Sequence, residues 1–181
     1  MRMYNKLPHT LRINNKEITI NTDYRLFVRF ELEMQGNDTK KAIQNVLSAF
    51  YPAFLLKNIT GEMIDKFIWF YKCGKNEPIK PSKNGNKNDR AFDYEADDEL
   101  IYSAFMECYH IDLSKPLHWW KFKALFKGLN NECEFCKIKS YRLYSGKDKD
   151  LLELKEYYKL PPTEIELENQ LRQQKIYEAL K

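Results

Sequence analysis

Leu117-His118-Trp119-Trp120-Lys121-Phe122-Lys123 is the stretch of sequence that decides the fold. Ser114 and Pro116 precede it, and because proline is well tolerated in the first turn of a helix, they predict a helix that carries residues 117–128. At about 100° per residue, its apolar side chains fall on two separate arcs. We expect such a helix to lie between neighbouring elements, with only narrow edges in contact with water.

The two arcs differ in size, and lysines separate them. The larger arc contains Trp119, Phe122, Leu125, Phe126 and Leu129, and the smaller one contains Leu117, Trp120 and Ala124. Lys123 and Lys127 lie on one edge between the arcs, and Lys121 lies on the other. The helical arrangement of the aromatic residues favours packing in a core.

The alternation of aromatic and basic residues leaves binding open as a second interpretation. Proteins that bind single-stranded nucleic acid interleave these residue types, with the aromatic faces exposed for stacking. Lys137, Lys139 and Arg142 could extend such a basic surface. If this segment contacts a partner, the residues expected to do so are Trp119, Trp120, Lys121, Lys123 and Lys127.

Upstream, the hydrophobic pattern predicts a β-hairpin and then helices. Apolar residues alternate on both sides of a turn at Asn14-Asn15-Lys16, namely Leu11, Ile13, Ile18 and Ile20. A first helix, capped by Thr22 or Asp23, should run to about Gly36. A second helix, capped by Asp38 or Thr39, should end at Pro52, because proline cannot continue a helix.

A third helix is predicted from Thr60 to Cys73-Gly74. Its apolar residues cover well over a third of its circumference: Met63, Ile64, Phe67, Ile68, Phe70 and Tyr71. Because a surface helix rarely carries so wide an apolar face, we expect this helix at the centre of the protein. The polar run that follows, with two prolines and no periodicity, predicts an exposed loop at about 75–91.

The second half of the chain is predicted to be helical as well. Asp93 should cap a helix over residues 94–109, and further helices are expected at about 132–144 and 149–159. Thr163-Glu164-Ile165-Glu166 is a capping box that starts a last helix to about Leu180. Its apolar residues share no narrow stripe, so we expect it to protrude or to become ordered against a partner.

The predicted fold class is mainly α, with a compact helical domain over residues 1–160, a short N-terminal β-hairpin, and a C-terminal helix over residues 161–181. Among the 181 residues, 43% are hydrophobic and only 6 are glycine, which disfavours both disorder and a turn-rich β fold. The net charge of +4 gives no general reason to expect nucleic acid or a membrane as partner.

The cysteines and the N-terminal sequence indicate in which cellular compartment the protein is expected. The N-terminus lacks the apolar run of a secretory signal, and no stretch approaches the roughly 20 apolar residues of a membrane-spanning helix. The four cysteines do not form the dense framework of a small secreted fold, so we expect reduced thiols in a cytoplasm. An extracellular particle assembled inside the cell is the alternative.

Candidate chemical sites have simpler structural interpretations. Cys133 and Cys136 form a single CxxC pair, whereas a structural zinc site needs four ligands. The acidic residues at 93–99 should offset a helix dipole, and His118, in a first turn, could satisfy its polar atoms locally. Nucleotide-binding, esterase and zinc-protease motifs are absent from the sequence. We therefore expect no catalytic residue, no metal and no cofactor, and a protein that is not an enzyme.

Two segments resemble the bacteriophage gene-product-fifteen family, found in phages and prophages with long non-contractile tails. The first is Phe92-Asp93-Tyr94-Glu95-Ala96-Asp97-Asp98-Glu99-Leu100-Ile101-Tyr102-Ser103-Ala104-Phe105, followed by Tyr109-His110-Ile111-Asp112-Leu113. The second is Leu117-His118-Trp119-Trp120-Lys121-Phe122-Lys123-Ala124-Leu125, ending in Gly128-Leu129. The resemblance is strongest over residues 92–143. This chain departs from the family at His110, where glycine is expected, and at the two cysteines of the CxxC pair.

The resemblance implies a function in tail assembly. Genes of the family usually lie just upstream of the tape-measure gene, which implies a chaperone that keeps the tape-measure protein soluble until the tail-tube protein polymerises around it. We expect such a protein in the cytoplasm of the bacterial host, with the tape-measure protein, the tail-tube protein or a second copy of itself as partners. A structural tail component of the virion and a nucleic-acid-binding regulator stay open as alternatives.

Overall fold

The computed structural model describes residues 6–75 and 90–179. In this part of the chain the protein is mainly helical with one two-stranded sheet, so the predicted fold class is confirmed. The loop expected at about 75–91 falls almost wholly on residues 76–89, which lie outside the described residues. Leu180, the expected end of the last helix, lies outside them too.

The N-terminal hairpin forms as its alternating pattern predicts. Strands β1 (Thr10–Ile13) and β2 (Lys16–Thr19) pair antiparallel, and Leu11 lies opposite Ile18. Asn14 and Asn15 connect them with φ angles of 48° and 60°, the left-handed pair that a two-residue turn of this kind needs.

The helices follow in chain order. They are α1 (Tyr24–Glu33), α2 (Thr39–Phe50), α3 (Gly61–Tyr71), α4 (Asp98–Tyr109), α5 (Trp119–Lys127), α6 (Glu134–Arg142), α7 (Lys149–Tyr157) and α8 (Glu164–Ala179). A 3-10 turn, Ala53–Asn58, joins α2 to α3. One hydrophobic core takes buried side chains from the hairpin through α6, whereas no side chain of α7 and none of the described side chains of α8 is buried.

Short polar side chains cap the helices as expected. Asp38 Oδ1 accepts a hydrogen bond from the Lys41 N–H at 2.9 Å, and Thr60 Oγ1 accepts one from the Met63 N–H at 3.4 Å. At the start of α8, the Thr163 N–H donates to Glu166 Oε2 at 2.8 Å, and the Glu166 N–H donates to Thr163 Oγ1 at 3.2 Å. The predicted capping box is therefore confirmed.

The helix expected from residue 94 begins at Asp98 instead. Asp93 caps a separate turn, where its Oδ1 accepts hydrogen bonds from the N–H groups of Glu95 at 2.9 Å and Ala96 at 3.1 Å. Asp98 and Glu99 lie in the first turn of α4, where they offset its dipole. Asp93 and Asp97 are buried, so a dipole effect does not account for them.

Asp97 forms a buried ion pair with Arg142, at the end of α6. Arg142 Nη1 donates to Asp97 Oδ2 at 2.6 Å, and Nη2 donates to Oδ1 at 2.9 Å. The Arg142 Nε also donates to the Tyr158 carbonyl at 2.6 Å, just after α7. One guanidinium thus joins the start of α4, α6 and the end of α7, and it does not belong to a basic surface as the sequence suggested.

We predict that Asp97→Asn lowers the free energy of unfolding by about 3 kcal/mol, because it leaves a buried guanidinium without its counter-charge. Asp98→Asn removes an exposed carboxylate one residue later and should cost less than about 1 kcal/mol. Urea denaturation followed by far-ultraviolet circular dichroism measures both. Equal losses would contradict a structural role for the buried pair.

His110 ends α4 in a left-handed conformation. Its φ is 53°, its N–H donates to the Met106 carbonyl at 3.0 Å, and its side chain is exposed. A left-handed residue just beyond a helix is most often glycine, because a side chain there is strained. The left-handed backbone favours glycine at this position, where the resemblance led us to expect one and this chain has histidine.

His110→Gly should raise the free energy of unfolding by about 0.5 kcal/mol. Relief of roughly 1–2 kcal/mol of left-handed strain outweighs the greater flexibility of glycine in the unfolded chain. His110→Ala is the matched control, because it keeps the Cβ and should leave stability nearly unchanged. A glycine variant less stable than the alanine variant in thermal unfolding would refute this explanation.

Candidate partner-binding surface

The start of α5 is hydrogen-bonded to the start of α1. Asp23 and His118 form an isolated antiparallel bridge, in which the Tyr24 N–H donates to the Leu117 carbonyl at 2.8 Å. The Trp119 N–H returns a hydrogen bond to the Thr22 carbonyl at 2.7 Å. The bridge holds Leu117 and His118 outside the helix, so α5 begins two residues later than predicted, and Ser114 and Pro116 do not start it.

His118 is the N-terminal cap of α5. Its Nδ1 accepts a hydrogen bond from the Trp120 N–H at 3.0 Å, and its Nε2 lies 3.0 Å from the Pro8 carbonyl. These partners select the neutral imidazole with its proton on Nε2. Burial lowers the pKa of His118, against the opposing effect of the Pro8 carbonyl. The expectation of a local partner is confirmed for Nδ1, whereas the partner of Nε2 lies 110 residues away in the sequence.

The two adjacent tryptophans cap the C-terminal end of α3. Trp119 Nε1 donates to the Tyr71 carbonyl at 2.9 Å, and Trp120 Nε1 donates to the Phe70 carbonyl at 2.8 Å. The backbone N–H groups of residues 72–74 donate hydrogen bonds to the carbonyls of residues 68–70. Since the last four carbonyls of a helix have no partner inside it, the indoles complete the capping of α3.

Both indole rings are also packed into the core. Trp119 is fully buried, with its ring centroid 4.9 Å from that of Phe27 and 5.9 Å from that of Phe122. Trp120 packs over Gly74, where a Cβ would come within 2.9 Å of the indole and where φ is 72°. Only glycine fits there without strain. The rings therefore present no free face for a partner or a nucleic-acid base.

The three lysines proposed for binding have different surroundings. Lys123 lies 3.6 Å from the Glu31 carboxylate, with its Nζ 5.0 Å from the centroid of the Trp119 ring. Lys121 and Lys127 are exposed, and so is Ala124, which the sequence placed on an apolar arc. One side of α5 is therefore open to solvent rather than covered, and partner binding through Lys121 and Lys127 stays a prediction.

The CxxC pair is part of the core. Cys133 caps α6 and is 1% exposed, and Cys136 is 6% exposed. Burial raises the pKa of the Cys133 thiol, which disfavours the reactive thiolate. Across residues 6–75 and 90–179 no group of three potential ligands is placed to hold a metal ion.

An exposed apolar ridge lies on α3, beside its buried face. Met63, Phe67 and Phe70 are buried, whereas Ile64 and Ile68 are 41% and 40% exposed. Ile59, 42% exposed, precedes the Thr60 cap and occupies the position that normally packs on Ile64 in a hydrophobic staple. We call Ile59, Ile64 and Ile68 the α3 ridge.

The sequence did not distinguish this ridge from the core. Ile64 and Ile68 were counted in the apolar face that was expected at the centre of the protein, and that expectation was wrong for this side of α3. The sequence feature that could have revealed the ridge is the width of the apolar face, which is larger than one buried side of a helix needs. Phe54, in the preceding 3-10 turn, is 69% exposed and adds to the apolar surface of this part of the chain.

The fold and its surface define a mainly α protein. Two buried tryptophans, Trp119 and Trp120, hold α5 against the end of α3, and the apolar α3 ridge is exposed. None of its described helices is long and apolar enough to cross a membrane. Residues 3–163 match the family model described as Bacteriophage Gp15 protein, and the chain belongs to this family. The match ends where α8 begins. No curated protein and no solved structure matches the chain.

The indole hydrogen bonds lead to a graded prediction. Trp119→Phe should lower the free energy of unfolding by about 3 kcal/mol, since the Tyr71 carbonyl loses its N–H donor and the core loses volume. Trp120→Phe should cost about 2 kcal/mol, because the Phe70 carbonyl keeps a bond from the Cys73 N–H. Trp69→Phe, at a half-buried position, is the control and should cost about 1 kcal/mol. Equal effects in chemical denaturation would contradict the capping role.

Proposed function

We propose that this protein is a tail assembly chaperone that binds the tape-measure protein in the host cytoplasm and keeps it soluble, without catalysis. Membership of the Gp15 family supports a role in a phage, and the genomic position typical of that family favours tail assembly. The single structural observation that carries the proposal is the α3 ridge. It is an apolar surface without cover in the described chain.

The chemistry of the ridge suits a helical client. Ile64 and Ile68 are one turn apart on α3, and the exposed Ile59 lies just before the Thr60 cap of the same helix. An amphipathic helix recognises such a surface through its own apolar residues at a spacing of three and four. Because exposed apolar surface of this kind favours association, a client helix would be held mainly by burial of side chains rather than by charge.

The contact would also be reversible. Burial of apolar surface contributes about 25 cal/mol per Å², and a ridge of three isoleucines is a small surface compared with a permanent interface. Such a chaperone can release its client when the tail-tube protein polymerises around the tape measure. The tail-tube protein is therefore a second proposed partner, which competes for the client.

The test is co-expression with the tape-measure protein encoded nearby, with a tag on this chain only. The wild type should keep the tape measure soluble and co-purify with it. Ile64→Glu combined with Ile68→Glu should reduce the co-purified amount by about tenfold, because two carboxylates replace the apolar contact. Ile43→Glu is the matched control, since Ile43 is exposed to a similar extent, 43%, on α2.

Circular dichroism must show that the variants fold, so that lost binding is not lost structure. Retention of the tape measure by the double variant would move the contact away from the ridge, and Lys121→Glu with Lys127→Glu would then test α5. If the wild type retains no tape measure, the chaperone proposal fails. Detection of the chain in purified virions by mass spectrometry would instead support the structural tail component.

A further inference from the structure

We propose that α8 pairs with α8 of a second copy of this chain, in an antiparallel arrangement along Leu167 and Leu171. The inference does not depend on which partner the α3 ridge binds. It rests on the exposure of α8, on the side that faces away from the body, and on the order of charges along the helix.

The exposure of α8 is the first observation. All its described side chains are exposed except Glu166, which is half-buried. Large apolar residues are among the exposed ones: Ile165, Leu167, Leu171, Ile176 and Tyr177. Isolated helices of about 12–15 residues are only marginally stable in water, and most helices gain stability by packing an apolar face. These exposed apolar side chains lie on more than one side of α8, so its contacts must show which side can be covered.

The orientation of α8 identifies the side that is available. Arg90 lies 3.7 Å from Glu166 and also donates to the Pro161 carbonyl, and the Asn37 side chain donates to Glu168 at 2.8 Å. Arg172, Gln173 and Ile176 line a cleft between α8 and α7. At about 100° per residue, Leu167 and Leu171 lie on the opposite side of the helix from Gln173 and Ile176. They are 45% and 57% exposed.

The order of charges along α8 indicates that a second copy of α8 covers the leucine pair. Glu164 and Lys175 lie three turns apart on the same edge of the leucine pair, about 20° from each other on the helical wheel. In an antiparallel pair, Leu167 of one copy packs on the second copy's Leu171, and like edges meet. Glu164 then lies beside the second copy's Lys175, and the two-fold axis repeats this contact. In a parallel pair the edge with Glu164 would instead meet the opposite edge of the second helix, which carries the uncharged Gln170 and Gln174, so this ion pair would not form.

Sedimentation velocity of the full chain over a wide concentration range tests the proposal. The wild type should show a reversible monomer–dimer equilibrium. Leu171→Gln should weaken the dimer by about tenfold, because both copies lose an apolar contact. Gln173→Lys changes the opposite side of α8 and should leave the equilibrium unchanged. A chain that stays monomeric at the highest concentration overturns the proposal.

Charge reversal tests the arrangement itself. Glu164→Lys alone and Lys175→Glu alone should each weaken self-association, since each places like charges together at both contacts. An equimolar mixture of the two single variants should form a heterodimer, because all four charges are then paired with opposite ones. A dimer that is unaffected by Leu171→Gln, or a mixture that does not recover association, overturns antiparallel pairing through α8. So does the finding that α8 variants lose the tape measure while self-association is unchanged.

Discussion

The hydrogen bonds from Trp119 and Trp120 to the last carbonyls of α3 are the constraint on which the other elements depend. The last four carbonyls of a helix have no partner inside it, and a carbonyl that is left buried and unpaired costs about 1–3 kcal/mol. The indoles supply the donors and at the same time fill the space between α3 and α1. Because the backbone of Trp119 is bonded to the Thr22 carbonyl, the same residue fixes where α1 and α5 begin relative to each other. His118 joins the residues before β1 to this junction, because its Nε2 is hydrogen-bonded to the Pro8 carbonyl.

This arrangement has a consequence for function. The rings and the indole N–H groups of Trp119 and Trp120 are held in the core, so these two residues have a structural role. Exposed apolar side chains lie elsewhere, at Ile64 and Ile68 beside the buried face of α3 and on α8. The two surfaces differ in character. The α3 ridge is apolar and lies within the region matched by the family, whereas α8 lies beyond that match and carries ordered charges beside its leucines.

Local chemistry made much of the fold predictable. The asparagine turn, the aspartate and threonine caps, and the capping box at Thr163 act within a few residues of chain, so their outcome can be inferred from the sequence alone. The errors have a common physical origin in contacts between distant segments. The bridge between Asp23 and His118 makes α5 begin later than predicted. The ion pair with Arg142, 45 residues away in the sequence, holds Asp97 just before α4. Periodicity also did not show which part of the wide apolar face of α3 is buried. It records which residues are apolar, but not which distant segments pack against them.

Amide and indole hydrogen exchange, followed by nuclear magnetic resonance, tests the central claim most directly. The chain has three tryptophans, and variants in which each is replaced by phenylalanine assign their indole signals. The account predicts that the Trp119 and Trp120 indole protons exchange as slowly as the amides of the core, because their release requires global unfolding. The half-buried Trp69 should exchange faster. Rapid exchange of either Trp119 or Trp120 would contradict the account, since it would show that this indole is not held against α3 and is free to meet a partner.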